Sequence, residues 1–139
     1  MKINFIQGTS DQHKVIANII NKLSSLLPLP DRIDVLLQSL GPSSYGETIV
    51  TSSFIKRIIL NQDLTANELF FPTIHELVHV SQIHQGKLSA SRTGVFVWEH
   101  KTYHVDPRKM SYSEYQKLPW ELEAHEQQYI LGNILLKNS

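Results

Sequence analysis

Residues 75–79 read His75-Glu76-Leu77-Val78-His79, the pattern H-E-x-x-H. On a helix, residues four apart lie one turn apart on the same face, so the two histidines could share one metal ion. Glu76 lies one step round from His75, so its carboxylate flanks that ion without having to bind it. This is where a general base for a metal-bound water belongs. The pentapeptide therefore predicts a zinc site with His75 and His79 as ligands and Glu76 as the base.

The sequence around the motif also predicts a helix. Apolar or small residues recur at helical spacing and could form one buried stripe: Phe70, Ile74, Leu77, Val78 and Ser81. Pro72 suits a first turn, and Gly86 suits the left-handed residue that follows a helix end. These signals predict a helix over about residues 67–85, with both histidines on the flank of the stripe.

Length and charge set the broad class. The chain has 139 residues, 41% of them hydrophobic, which suits one globular domain spanning residues 1–139. Lys plus Arg and Asp plus Glu number 13 each, so the net charge does not indicate nucleic acid or an anionic membrane as a partner. No apolar run approaches a membrane span, and the start of the chain lacks the apolar stretch of a secretory signal. We therefore expect a cytoplasmic protein that binds neither nucleic acid nor membrane.

Periodicity and turn residues predict the remaining elements. Three further helices are expected, over residues 11–27, 110–117 and 119–137, and the second begins with a capping-box pattern at Ser111 and Glu114. Short β-prone segments predict strands of a small sheet at residues 33–37, 48–51 and 55–60, and a hairpin over residues 94–105. The expected fold class is therefore α+β.

A catalytic zinc needs a third protein ligand and an open position. The pattern H-E-x-x-H-x-x-G-x-x-H would supply a third histidine, but position 85 is Gln, and His84 lies about 100° round the helix from the required direction. Peptide deformylases use a cysteine, and this chain has none, which also excludes disulfides and thiolate nucleophiles. A carboxylate from a later helix remains, and the last predicted helix offers Glu121 and Glu123.

The arrangement of side chains around the last helix favours Glu121. An apolar stripe is formed mainly by Trp120, Ala124, Gln127, Leu131, Ile134 and Leu135. Glu121 and Glu123 border this stripe on opposite sides. The flank beyond Glu121 continues through His125, Gln128 and Gly132, which are polar or small, as the wall of a cleft should be. The flank beyond Glu123 is apolar. Glu121 is therefore the predicted ligand, with Glu123 as the alternative.

H-E-x-x-H followed by a helix with E-x-E-A resembles the gluzincins, the thermolysin-like zinc peptidases. The match is closest to small bacterial and phage proteins with H-E-L-x-H-V-x-Q and P-W-E-x-E-A, which residues 75–82 and 119–124 reproduce. This resemblance covers roughly the second half of the chain. It implies a minimal zincin-like fold, in which a small, mostly antiparallel sheet packs on the H-E-x-x-H helix beside a C-terminal glutamate helix. It also implies Glu121 as the third zinc ligand, and His125 stands where the family has the aspartate that orients a zinc-bound histidine.

The expected function is zinc-dependent hydrolysis of peptide bonds in a peptide or protein substrate, with Glu76 as the general base. Candidates for stabilising the oxyanion are Tyr103, His104, Tyr112 and Tyr115. The alternative function is that of a structural, virion or regulatory protein that binds zinc in the same fold without catalysis. A structural site has no need of a carboxylate beside its ligands, so Glu76 favours the enzyme.

In zincins of this type a substrate strand usually adds to the edge of the sheet over the metal helix. The resemblance implies that one strand from residues 48–60 supplies this edge. Little chain is left for a separate specificity domain, so we expect specificity to come from the loops at residues 43–53 and 86–94.

Overall fold

The computed structural model describes residues 1–41, 46–49, 56–92, 94–106 and 108–137. In chain order, the elements are β1 (Lys2–Ile6), α1 (Ser10–Leu23), β2 (Arg32–Gln38), β3 (Gly46–Ile49), β4 (Lys56–Asn61), α2 (Phe70–His84), β5 (Leu88–Arg92), β6 (Val95–Trp98), β7 (Lys101–His104), α3 (Tyr112–Gln116) and α4 (Pro119–Lys137). A single 3-10 turn, Asn67–Leu69, leads into α2. The mixture of helices with two small sheets agrees with the predicted α+β class. No helix within these residues combines the length and the apolar character needed to cross a membrane.

The larger sheet has four strands in the order β1-β2-β4-β3. Strands β1, β2 and β4 are parallel, and only β3 runs antiparallel, at the edge beside β4. The prediction of one mostly antiparallel sheet on the motif helix was therefore wrong. There are two reasons. β1, which was not predicted, is joined to β2 through α1 and so runs parallel to it, and β2 pairs with β4 instead of with β3, its neighbour in sequence.

One face of this sheet forms the main core. Alternate residues of β2 and β4 point to this face and are fully buried: Ile33, Val35, Leu37, Ile58 and Leu60. They pack in one cluster with buried side chains of α1, α2 and α4, including Ile16, Leu77 and Leu131. On the other face, Asp34 is paired with Arg32 at 3.3 Å. The strand alternation therefore directs the helices to one side of the sheet.

The smaller sheet is an antiparallel meander of β5, β6 and β7. The hairpin predicted over residues 94–105 is confirmed as β6 and β7, whereas β5 was not predicted. The turn between β6 and β7 consists of Glu99 and His100, whose φ values are positive, 47° and 72°. A tight two-residue hairpin requires such values even where the turn has no Gly or Asn. Trp98 of this sheet packs in a second apolar cluster with Trp120 at the start of α4. The smaller sheet is thereby fixed against the helix that carries Glu121.

The four helices predicted from the sequence are confirmed as α1, α2, α3 and α4. α1 ends at Leu23, four residues before its predicted end, and Ser111 and Glu114 form the predicted capping box of α3. Gly86 follows α2 with a φ of 77°, as expected of a left-handed helix stop. α2 and α4 pack closely where Gly132 meets Phe71, since a Cβ on Gly132 would lie 2.5 Å from Phe71 Cε1. This close approach positions α4 for contact with the face of α2 that carries the histidines.

Candidate metal centre

The packing of α4 on α2 brings His75, His79 and Glu121 together. One ligand atom from each of them lies within 4.8 Å of the other two. The His75 Nε2 atom lies 3.2 Å from Glu121 Oε2, and the His79 Nε2 atom lies 3.0 Å from Glu121 Oε1. His79 is buried, and the other two are partly buried. The two predicted histidines and the preferred glutamate therefore form one cluster.

The structure separates Glu121 from its alternative, Glu123. Glu123 points to the opposite side of α4, where its Oε1 accepts a hydrogen bond from Gln82 Nε2 at 3.2 Å. Its Oε2 lies 3.8 Å from Lys87 Nζ. Glu123 is therefore engaged away from the two Nε2 atoms, and the helical-wheel preference for Glu121 agrees with this geometry.

Each histidine also contacts a glutamine through its other ring nitrogen. His75 Nδ1 lies 2.7 Å from Gln128 Oε1, and His79 Nδ1 lies 2.8 Å from Gln82 Oε1. An amide oxygen only accepts, so each Nδ1 carries the hydrogen in these contacts. A histidine that donates from Nδ1 can present the lone pair of Nε2 to a metal.

His125 does not take the place that the gluzincin resemblance gives it. Its side chain is exposed, and its ring lies edge-on to Tyr129 with the ring centroids 5.3 Å apart. Gln128, three residues further along the same helix, supplies the contact to His75 instead. His84 lies exposed at the end of α2, in agreement with its rejection as a ligand.

The site favours positive charge next to Glu121. Burial alone would lower the pKa of His79, but the hydrogen bond to Glu121 and the charges of Glu76 and Glu121 outweigh burial and raise this pKa to about 9. Burial alone would raise the pKa of Glu121, but the hydrogen bonds that Glu121 makes with His75 and His79 hold this pKa well below the usual range of a glutamate. Either a proton on His79 Nε2 or a divalent cation could supply the charge that these carboxylates favour.

The donor set fits zinc. Two imidazole nitrogens and one carboxylate oxygen are the protein ligands of many catalytic zinc sites. Ligands about 2.1 Å from a tetrahedral ion lie about 3.4 Å from one another. The Nε2-to-oxygen distances of 3.2 and 3.0 Å are close to this value. These two distances end on different oxygens of Glu121, and one ligand atom from each residue lies within 4.8 Å of the other two, so the side chains would have to draw closer around a bound cation.

A cleft of about 1820 Å³ opens beside these residues. His75, His79, Glu76 and Glu121 line it, together with residues of α3, α4 and the smaller sheet. Glu76 is only 6% exposed. Gly46 of the edge strand β3 lies against it, since a Cβ on Gly46 would be 3.2 Å from Glu76 Cγ. The side chain of the predicted base thus packs through its Cγ against the sheet edge at the wall of the cleft.

The four oxyanion candidates differ in their surroundings. Tyr115 contacts the cluster directly, because its hydroxyl donates to Glu121 Oε1 at 3.1 Å. Tyr103 packs edge-on against Trp120, as expected of a core aromatic residue. His104 and Tyr112 both line the cleft.

The loops predicted to set specificity are described only in part. In the first, residues 43–45 and 50–53 lie outside the described residues, and Gly46 lines the cleft. In the second, residue 93 lies outside the described residues, and Leu88 and Gly94 line the cleft.

Three residues of the site were not recognised from the sequence: Gln82, Gln128 and Gly46. A signal for Gln82 was present, because it follows His79 by three positions and so shares its helix face. Gln128 was placed on the polar flank of α4 without a role. Nothing in the sequence indicates that Gly46 meets Glu76, since this contact depends on the sheet order.

No protein-family model, no curated protein and no solved structure matches this chain. The geometry of the cleft and the chemistry of its side chains therefore carry the functional conclusion.

Proposed function

We propose that this protein is a zinc-dependent peptidase with a minimal zincin-like fold, in which His75, His79 and Glu121 hold the ion. One observation carries the proposal: three side chains suited to zinc meet in an open cleft, and a further carboxylate, Glu76, lies beside them. When bound, zinc acts as a Lewis acid that polarises the scissile carbonyl and lowers the pKa of water.

Glu76 is the general base of this proposal. It neighbours His75 in sequence and lines the cleft, so its carboxylate can reach a water held between the histidines and a substrate carbonyl. It takes a proton from the attacking water and then delivers that proton to the leaving amine. Its confinement by Gly46 supports this role, because a base that is already oriented loses little freedom on reaction.

The edge strand β3 is the proposed docking site for the substrate backbone. It has β4 as its neighbour on one side and lies at the end of the four-strand order. It is also the strand whose first residue, Gly46, reaches the cleft. An extended peptide added along β3 would pass next to Glu76, which brings its carbonyl groups to the proposed base.

The test is metal content and metal-dependent cleavage. The purified protein should contain about one zinc per chain and should cleave a denatured protein such as unfolded casein. Removal of zinc by a chelator should abolish cleavage, and an equimolar amount of Zn²⁺ should restore it. Metal analysis and a gel-based cleavage assay check this result. A protein that binds no zinc would refute the proposal.

A methyl group at position 46 should impair catalysis without removing the metal. In Gly46→Ala, the added Cβ would lie 3.0 Å from the Ile59 carbonyl oxygen and 3.2 Å from Glu76 Cγ. Because the carbonyl is backbone, the strand or the Glu76 side chain must shift. We expect kcat/KM to fall by on the order of tenfold or more, since small misplacements of reacting groups are costly. Zinc content should stay near the wild-type value, while the thermal unfolding midpoint should fall modestly because the added methyl group is crowded. Unchanged kinetics would contradict the contact between Gly46 and the base.

A further inference from the structure

Gln82 is a buried polar side chain with three hydrogen-bond contacts beside the site. It is 1% exposed and lies in α2, between the proposed metal ligands and α4. Its Nε2 atom donates to the Trp120 carbonyl oxygen at 3.0 Å and to Glu123 Oε1 at 3.2 Å. Its Oε1 atom lies 2.8 Å from His79 Nδ1.

These contacts determine which way the amide points. A carbonyl oxygen and a carboxylate oxygen both only accept hydrogen bonds, so the amide nitrogen of Gln82 must face Trp120 and Glu123. The amide oxygen must then face His79 Nδ1, which therefore carries a hydrogen. His79 is held with Nε2 towards Glu121, 3.0 Å away. The peptide group of Trp120 thus fixes the orientation of a histidine on another helix through one glutamine.

Gln128 makes the corresponding contact to His75 from the other side. It is half-buried in α4, and its Oε1 lies 2.7 Å from His75 Nδ1. A neutral amide accepts this hydrogen bond without adding negative charge to the site. An aspartate or glutamate in the same place would make the histidine a stronger donor to a metal and would reduce the net positive charge of the bound ion.

We propose that Gln82 and Gln128 are positioning residues, which hold His79 and His75 with Nδ1 protonated and both Nε2 atoms directed at one cation. This inference rests on the proposed metal site. It assigns a role to Gln82, the last residue of the H-E-L-x-H-V-x-Q pattern, and to Gln128, which lies outside both matched stretches. It also gives α4 three contributions to the site: Glu121, Gln128 and, through Gln82, the Trp120 carbonyl.

The first measurement is the affinity for Zn²⁺, determined by competition with a chelator. Gln82→Leu and Gln128→Leu should each weaken binding by roughly 10–100-fold, the usual cost of losing a hydrogen-bond partner of a metal-bound histidine. The matched control is Gln85→Leu. Gln85 directly follows α2, three residues after Gln82, and its exposed amide donates only to Ser81 Oγ among the contacts described. This control should bind Zn²⁺ as the wild type does. Gln127→Leu is the corresponding control on α4.

The second measurement separates positioning from general destabilisation. In the Co²⁺-loaded wild type, the NMR spectrum should show two paramagnetically shifted, exchangeable ring N–H signals, one for each histidine. Gln82→Leu should remove or broaden the His79 signal through faster exchange of its N–H with water. Gln128→Leu should do the same to the His75 signal. Gln128→Glu keeps an acceptor at this position, so it should keep both signals and bind Zn²⁺ at least as tightly as the wild type.

The outcomes distinguish this inference from the proposed function. If the wild type binds neither Zn²⁺ nor Co²⁺, both are refuted. If it binds both ions, and Gln82→Leu and Gln128→Leu keep wild-type affinity and both N–H signals, only the positioning role is refuted. If Gln82→Leu does not fold, the comparison of Gln128→Leu with Gln128→Glu decides the question. Gln128 is less buried than Gln82, so its substitutions should disturb the fold less.

Discussion

Replacement of Glu76 by Gln should leave zinc in the protein and lower kcat for peptide cleavage by roughly 10²–10⁴-fold, the usual contribution of a general base. Gln has nearly the same shape as Glu, so the packing against Gly46 is preserved. The amide cannot take a proton from water, which removes the proposed step and leaves the three ligands in place. Zinc content and single-turnover cleavage of a denatured protein measure the two parts of this result.

Glu126→Gln is the matched control, since Glu126 is exposed on α4 and is not among the residues that line the cleft. It should retain full activity. If the wild type and Glu76→Gln behave alike across a broad peptide library while both hold zinc, the site is structural. The alternative of a zinc-binding structural, virion or regulatory protein would then replace the peptidase.

The second large effect concerns Glu121, the proposed third ligand. Glu121→Ala should reduce Zn²⁺ affinity by more than the roughly 10–100-fold that loss of an outer hydrogen-bond partner costs. The reason is that Glu121 is the carboxylate whose two oxygens face both Nε2 atoms, at 3.2 and 3.0 Å. His75→Ala and His79→Ala should likewise lose the metal. Titration with Zn²⁺ against a chelator provides the comparison.

Glu123→Ala serves as the control on the same helix. It removes the contacts to Gln82 and Lys87 but none to the histidine Nε2 atoms. Its Zn²⁺ affinity should therefore fall far less than that of Glu121→Ala. The reverse order would assign Glu123 as the ligand and would mean that α4 is rotated relative to the arrangement described above.

The helices could be predicted from the sequence because their signals are local. Apolar spacing, the capping box at Ser111 and the stop at Gly86 each act within a few residues, and they also supplied the candidate site residues on α2 and α4. Strand direction is not local in this sense. The order β1-β2-β4-β3 depends on a short first strand, Lys2–Ile6, and on which neighbours pair across the sheet. Without β1 and without the pairing of β2 with β4, the parallel arrangement could not be inferred.

The α4 side chain that contacts His75 could not be predicted from the sequence either. The helical wheel placed both His125 and Gln128 on the polar flank of α4, so either could have faced α2. Which one contacts His75 depends on the crossing of the two helices, and this crossing follows from the close approach of Gly132 to Phe71. Side-chain pattern within one helix cannot specify that contact.

The contact of His75 and His79 on α2 with Glu121 on α4 could link the two helices through a metal ion, in a chain that has no cysteine to form a disulfide. His75 and Glu121 are 46 positions apart, so an ion shared by them would close a loop as a disulfide does. For a covalent loop of this length, the restriction of the unfolded chain is worth about 4 kcal/mol. A bound ion would thus be a removable cross-link, and supply of the metal would raise or lower the free energy of unfolding as well as supply the chemistry.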